Sequence, residues 1–126
     1  MRLVLDSSFI VDHLRGDPAA VRRLRDLFED GDDPIVTGIV VCEVRTGLLP
    51  HEEAHLAALL EPMEFVQPGV EAALAAGRWR SDLHKRGRTL SLADALIGAV
   101  AEALGATVLT RNAKDFALMP VPVEVY

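Results

Sequence analysis

Four acidic residues, Asp6, Glu43, Asp94 and Asp115, stand where a carboxylate is not needed for solubility. Asp6 closes the apolar run Leu3-Val4-Leu5, Asp94 lies within Leu92-Ala93-Asp94-Ala95-Leu96-Ile97, and Asp115 follows Thr107-Val108-Leu109-Thr110 after a short polar stretch. Glu43 sits in Ile39-Val40-Val41-Cys42-Glu43-Val44, and at about 100° per residue it falls between Ile39 and Val40 on a helical wheel. An unpaired carboxylate in such an apolar arc is costly. Each acid also has a purely structural explanation. Asp6 can cap a helix that begins at Ser7. Asp94 and Asp115 stand three residues after Ser91 and Asn112, as the far members of capping boxes do. Glu43 can pair with an arginine such as Arg45. A shared site accounts for all four with one cause. Such a group offers only oxygen ligands, which suits hard cations, Mg2+ or Mn2+. His13, His51, His55 and His84 are scattered; His51 and His55 share a helix face, but without an intervening glutamate or third ligand they read as surface residues.

The elements expected around these acids alternate between strand and helix. Arg2 to Asp6 reads as a strand, followed by a helix that Gly16 ends. Asp17-Pro18 starts a second helix whose apolar face is Val21, Leu24, Leu27 and Phe28, up to Gly31. Pro34–Val36 is a short strand, and Thr37 can cap a helix from about Gly38 to Leu49, where Pro50 stops it. Helices at His51–Leu60 and Val70–Lys85 bracket a small strand near Glu64–Val66. Ser91 caps a helix with Leu92, Leu96, Val100 and Leu104 on one face, ended by Gly105. Thr107–Thr110 is a strand, Asn112 to Leu118 a short helical turn, and Val121–Val125 a last strand or edge. This alternation implies an α/β fold, a small central parallel sheet with helices on both faces. Asp6, Asp94 and Asp115 would then lie near the carboxyl ends of its strands, where open α/β sheets bind ligands.

The 126 residues suffice for one domain with a real core. Half of them are hydrophobic and a quarter are charged, the composition of an ordinary globular protein. The single Cys42 reads as a buried structural thiol and fits a reducing cytoplasm. The reading expects no secretory leader, because Asp6 interrupts the first apolar run, and no membrane span.

Taken together, Asp6-Ser7-Ser8, Glu43 with Arg45 and Gly47, Leu92 to Ile97, and Thr110-Arg111-Asn112-Ala113-Lys114-Asp115-Phe116 resemble the four motifs of PIN domains, in order and across essentially the whole chain. The spacing is most similar to that of the short bacterial VapC-type toxins. The resemblance implies a ribonuclease whose acidic quartet, Asp6, Glu43, Asp94 and Asp115, binds metal, with Ser7 and Asn112 as supporting polar residues. It also implies an RNA substrate, a homodimer and a cognate VapB-type antitoxin that blocks the site.

Metal is what makes such a quartet compatible with an anionic phosphodiester, which four bare carboxylates would repel. Two ions about 3.5–4 Å apart can serve the attacking and departing oxygens of an in-line displacement. Removing the four acids from the net charge of −6 leaves −2, a nearly balanced remainder. Arg78, Arg80, Lys85, Arg86 and Arg88 crowd into a segment whose only acid is Asp82, and this run can hold an RNA backbone or form a solvated helix face. Trp79 can stack on a base, or pack into the core or a dimer interface. Three other readings have weaker support. A receiver-type signalling domain needs an acidic pair at the first strand and a lysine after a late one. A phosphatase of the haloacid dehalogenase type needs a second Asp where Ser8 stands. A catalytically silent PIN-like binding module need not keep all four acids.

Overall fold

The computed structural model describes residues 1–126. Five strands, β1 (Arg2–Leu5), β2 (Asp33–Thr37), β3 (Glu64–Val66), β4 (Thr107–Thr110) and β5 (Val123–Val125), form one sheet in the order β3-β2-β1-β4-β5. All four pairings are parallel. Seven helices connect them: α1 (Ser7–Leu14), α2 (Pro18–Glu29), α3 (Gly38–Thr46), α4 (Glu53–Leu60), α5 (Val70–Lys85), α6 (Leu92–Leu104) and α7 (Ala113–Phe116). The chain steps outward from β1 to β3, then crosses back to lay β4 on the other side of β1. Right-handed crossovers therefore place α1 to α4 and the α5–α6 pair on opposite faces, as the alternation of elements anticipates. The reversal opens a crevice at the carboxyl ends of β1 and β4.

Leu3, Val4, Leu5, Ile35, Val36, Val108 and Leu109 are buried, as strands covered on both faces require. The buried stripes of the helices overlap the expected apolar faces without coinciding with them. In α6 the buried residues run through Ala95, Ile97, Gly98, Ala99, Val100 and Ala101, while Leu92 is 54% exposed. Small side chains let neighbouring groups approach this helix closely: a Cβ on Gly98 would lie 2.5 Å from Met119 Sδ. In α2 the stripe is Ala20, Leu24 and Leu27, leaving Val21 and Phe28 at its exposed margin.

The third helix ends at Thr46, short of Leu49, and a 3-10 turn at Pro50–Glu52 precedes α4. The Glu52 carboxylate accepts the Leu49 N–H at 2.8 Å, which fixes that turn. His51 therefore lies in the turn and His55 in α4, both exposed, so they do not share one helix. The expected burial of Cys42 is also corrected: its helix buries Val40 and Val44, and Cys42 faces away from that stripe, exposed. No helix is long and apolar enough to cross a membrane.

Candidate functional site

Asp6 sits where β1 gives way to α1, with its backbone N–H on Leu109 O at 3.0 Å, so the residue just beyond the β1–β4 ladder presents its side chain at the crevice. It is 6% exposed and caps α1, its Oδ1 accepting the Ser7 N–H at 2.8 Å. Oδ2 accepts the hydroxyls of Thr110 at 2.7 Å and Ser8 at 3.0 Å. Each hydroxyl has one proton, spent on Asp6, and its lone pairs then serve the strand beyond: Ser8 Oγ accepts the Arg111 N–H at 3.2 Å and Thr110 Oγ1 that of Asn112 at 3.0 Å. The capping role anticipated for Asp6 is real, and it coexists with a place in the crevice.

Asp94 stands in the first turn of α6, whose N-cap Ser91 accepts the Asp94 N–H at 3.1 Å. Partial burial, then the negative charges of Asp6 and Asp115, push its carboxyl up to about 6. The Ser91 cap acts the other way. Asp115 is half-buried in α7, and Asn112 ahead of it makes no side-chain cap, so the expected capping box at that helix does not form. Asp6 and Asp115 thus both bear on Asp94 at the mouth of the β1–β4 crevice.

Glu43 is placed differently from the apolar arc expected for it. Because α3 packs along Val40 and Val44, Glu43 lies beside the buried stripe, exposed, and lines a cavity of about 170 Å3 with Val11, Arg15 and Gly47. It is not among the charges that act on Asp94. Its suggested partner Arg45 bonds Glu53 instead, Nε to Oε1 at 2.7 Å. No three acidic, histidine or cysteine side chains stand close enough to enclose an ion as they lie. The donor chemistry nevertheless fits a hard divalent cation: three carboxylates, all oxygen, one of them raised by burial and then by like charges that a cation would offset.

Four further residues belong to this region. Ser8 and Thr110 orient Asp6; their signal in the sequence was a hydroxyl two residues beyond the strand-end acid and another ending the neighbouring strand. Asp12, 7% exposed in α1, accepts Arg111 Nη1 and the Tyr126 hydroxyl, each at 2.6 Å. The Tyr126 ring meets Phe9 edge to face at 4.9 Å. Burial and the bond to Asp12 raise the Tyr126 hydroxyl above its ordinary range, so it remains a donor.

The five basic residues of the run are all exposed and none forms an ion pair, unlike Arg2, Arg23, Arg25 and Arg45. They do not form one surface. Arg78 lines a hollow that also contains Glu71 and Glu102, whereas Arg80 and Arg88 line another with His84. Trp79 is half-buried against the core, with its ring 3.6 Å from where a Cβ on Gly98 would stand, which favours the packing reading over base stacking.

Comparison with known proteins agrees with this fold. Residues 3–121 match the PIN domain family. Ribonuclease VapC19 of Mycobacterium tuberculosis is 30% identical over 117 residues, which make up 93% of this chain and 94% of that protein. Among solved structures, VapBC2 from Rickettsia felis, bound to a DNA fragment from its promoter, superposes with a TM-score of 0.87 at 22% identity, covering 100% and 99% of the two chains. VapBC-5 from Mycobacterium tuberculosis, a member of the VapBC family of toxin–antitoxin systems, superposes with a TM-score of 0.67 at 26% identity, covering 98% and 96%.

Proposed function

The chain belongs to the PIN domain family, and on that premise we propose that it is a metal-dependent endoribonuclease, the toxin of a toxin–antitoxin pair. The observation that carries this reading is the convergence of Asp6 and Asp115 on a partly buried Asp94 at the topological switch point of the sheet, where burial and then their two charges raise its carboxyl to about 6. Such a cluster is unfavourable alone and useful with a cation. Asp6, Asp94 and Asp115 would hold Mg2+ or Mn2+, with Glu43 the fourth member that the family resemblance assigns. Bound there, the cation supplies charge neutralisation of the phosphodiester and acidification of water. The chain's own part is orientation: Ser7, Ser8 and Thr110 fix both oxygens of Asp6, and Ser91 holds the first turn that carries Asp94.

The relative named a ribonuclease and the VapBC complexes support RNA as substrate and a VapB-type antitoxin as partner. The same reading takes the protein as a cytoplasmic homodimer. The direct test is incubation of the purified chain with single-stranded RNA in Mg2+, in Mn2+ and in chelator, beside Asp94→Asn. Cleavage that requires the cation and vanishes in the variant is the expected result; metal-independent cleavage, or none with either cation, would refute the assignment.

A further inference from the structure

The α5–α6 connection folds back on its own helix. Gly87, at φ 71°, lets the chain reverse, and the Arg88 N–H then bonds Leu83 O at 2.8 Å. Leu90, 2% exposed, anchors the returning segment, and Arg80 Nε ties to its carbonyl at 3.0 Å. Between the helix face and this loop lies a cavity of about 360 Å3 lined by Gly77, Arg80, Ser81, His84, Arg88 and Thr89, with Leu90 the only apolar wall.

The chemistry of that cavity is one-sided. It holds two guanidinium groups, an imidazole and two hydroxyls, and no carboxylate. Neither arginine is ion-paired, and Arg80 spends only Nε on the protein, leaving its remaining N–H donors free. Guanidinium groups with free N–H edges beside hydroxyl donors match the oxygens of a phosphate. Asp94 lies four residues beyond Leu90, so the two Cα atoms are at most about 14 Å apart. A strand presenting one phosphate to the carboxylate cluster can therefore lay a nearby one in the cavity.

We propose that this cavity is a phosphate subsite for single-stranded RNA, gripping the backbone next to the bond presented to Asp6, Asp94 and Asp115. The assignment rests on the ribonuclease reading for the identity of the strand. It divides the basic run in two: Arg80 and Arg88 bind, together with Ser81, His84 and Thr89, while Arg78, across the helix beside Glu71 and Glu102, does not.

The test compares Arg88→Ala with Arg78→Ala, equal losses of charge from a single exposed arginine. A labelled single-stranded RNA is titrated in chelator, where no metal-dependent cutting occurs, at several salt concentrations. Arg88→Ala is expected to weaken binding about tenfold and to flatten the log–log salt slope by about 0.7, equally for strands of different sequence. Arg78→Ala is expected to leave both near wild type. A second variant, Thr89→Val, retains every charge and is expected to weaken binding severalfold without changing the melting temperature. Equal effects of the two arginine variants, or no effect of Arg88→Ala, would overturn the subsite. Cleavage in Mg2+ is scored separately: Arg88-dependent binding without any cleavage sustains the subsite and refutes the nuclease.

Discussion

The Tyr126 hydroxyl donates to Asp12 Oδ2 at 2.6 Å, which ties the segment after β5 to a buried carboxylate on α1. The other oxygen of Asp12 takes Arg111, whose backbone N–H bonds the Ser8 hydroxyl that orients Asp6. Tyr126→Phe keeps the ring packed on Phe9 and removes only the donor. Loss of a hydrogen bond to a buried charged group costs about 1.5–3 kcal/mol, and urea denaturation should show a lower midpoint at unchanged slope. Asp12→Ala should cost more, because it leaves both the tyrosine hydroxyl and Arg111 without their acceptor. A Tyr126→Phe protein as stable as wild type would mean that water replaces the bond.

Thr110 holds a similar place at the end of β4. It is fully buried, gives its proton to Asp6 and accepts the Asn112 N–H, so a single hydroxyl connects the first acid to the segment that leads to Asp115. Thr110→Val preserves volume and deletes both bonds. The expected outcome is a loss of about 1–3 kcal/mol together with weaker stabilisation by Mg2+, and rescue of both by Thr110→Ser. Thermal melts with and without the cation measure the two effects; loss of stability with an undiminished metal response would confine Thr110 to a packing role.

Much of this arrangement was legible beforehand because it depends on backbone order. Strands alternating with helices dictate a parallel sheet, and a parallel sheet directs attention to the residues that follow its strands, which is how Asp6 and Asp115 stand out. Side-chain direction was less legible. Glu43 lies about 80° from the centre of the Val40–Val44 stripe on a helical wheel, and which arc of an almost uniformly apolar α3 faces the core is decided by its neighbours. The same ambiguity misplaced Cys42, and it hid the small-residue face of α6 behind its leucines. The Asp12–Tyr126 bond joins residues 114 positions apart, and no local pattern announces it. The basic run was visible as composition, but Gly87 and the loop it permits decide which of its members share a cavity.

The raised carboxyl of Asp94 gives the site a pH signature. Between its ordinary 3.8 and about 6 the folded protein retains a proton that the unfolded chain has released. Its contribution to stability is therefore complete below the ordinary value and is lost as pH rises through about 6. Without metal, Asp94→Asn should flatten this part of the stability profile. If these acids hold Mg2+ as proposed, the trend reverses in its presence, because the cation would bind where the proton leaves: stabilisation by the metal should be small at pH 5 and near its maximum at pH 7.5. Melting temperatures at these two pH values, with and without Mg2+, provide the comparison. Equal metal stabilisation at both would exclude Asp94 as a ligand.

The division between Asp94 with the two acids that bear on it and a fourth acid that stands apart leads to the sharpest contrast. Like charges a few ångströms apart cost on the order of 1–4 kcal/mol, depending on the effective dielectric. Neutralising one member of the repelling group should relieve part of that cost, so Asp94→Asn and Asp115→Asn are expected to be neutral or stabilising without metal. Both should lose most of the stabilisation by Mg2+, and with it RNA cleavage. Glu43 is exposed and exerts no resolved effect on Asp94, so Glu43→Gln should change metal-free stability by no more than about 0.5 kcal/mol. It should also keep most of the metal-induced shift, since the proposed site leaves the holding to the other three acids. Cleavage is where it should fail, if the role that the family resemblance gives it lies in the reaction and not in capturing the first ion. Purified variants melted with and without Mg2+, then assayed on RNA, separate these outcomes. A Glu43→Gln protein that loses the metal response would show that this side chain swings into the ligand set when the cation arrives. One that cleaves as wild type would leave a catalytic site of three acids.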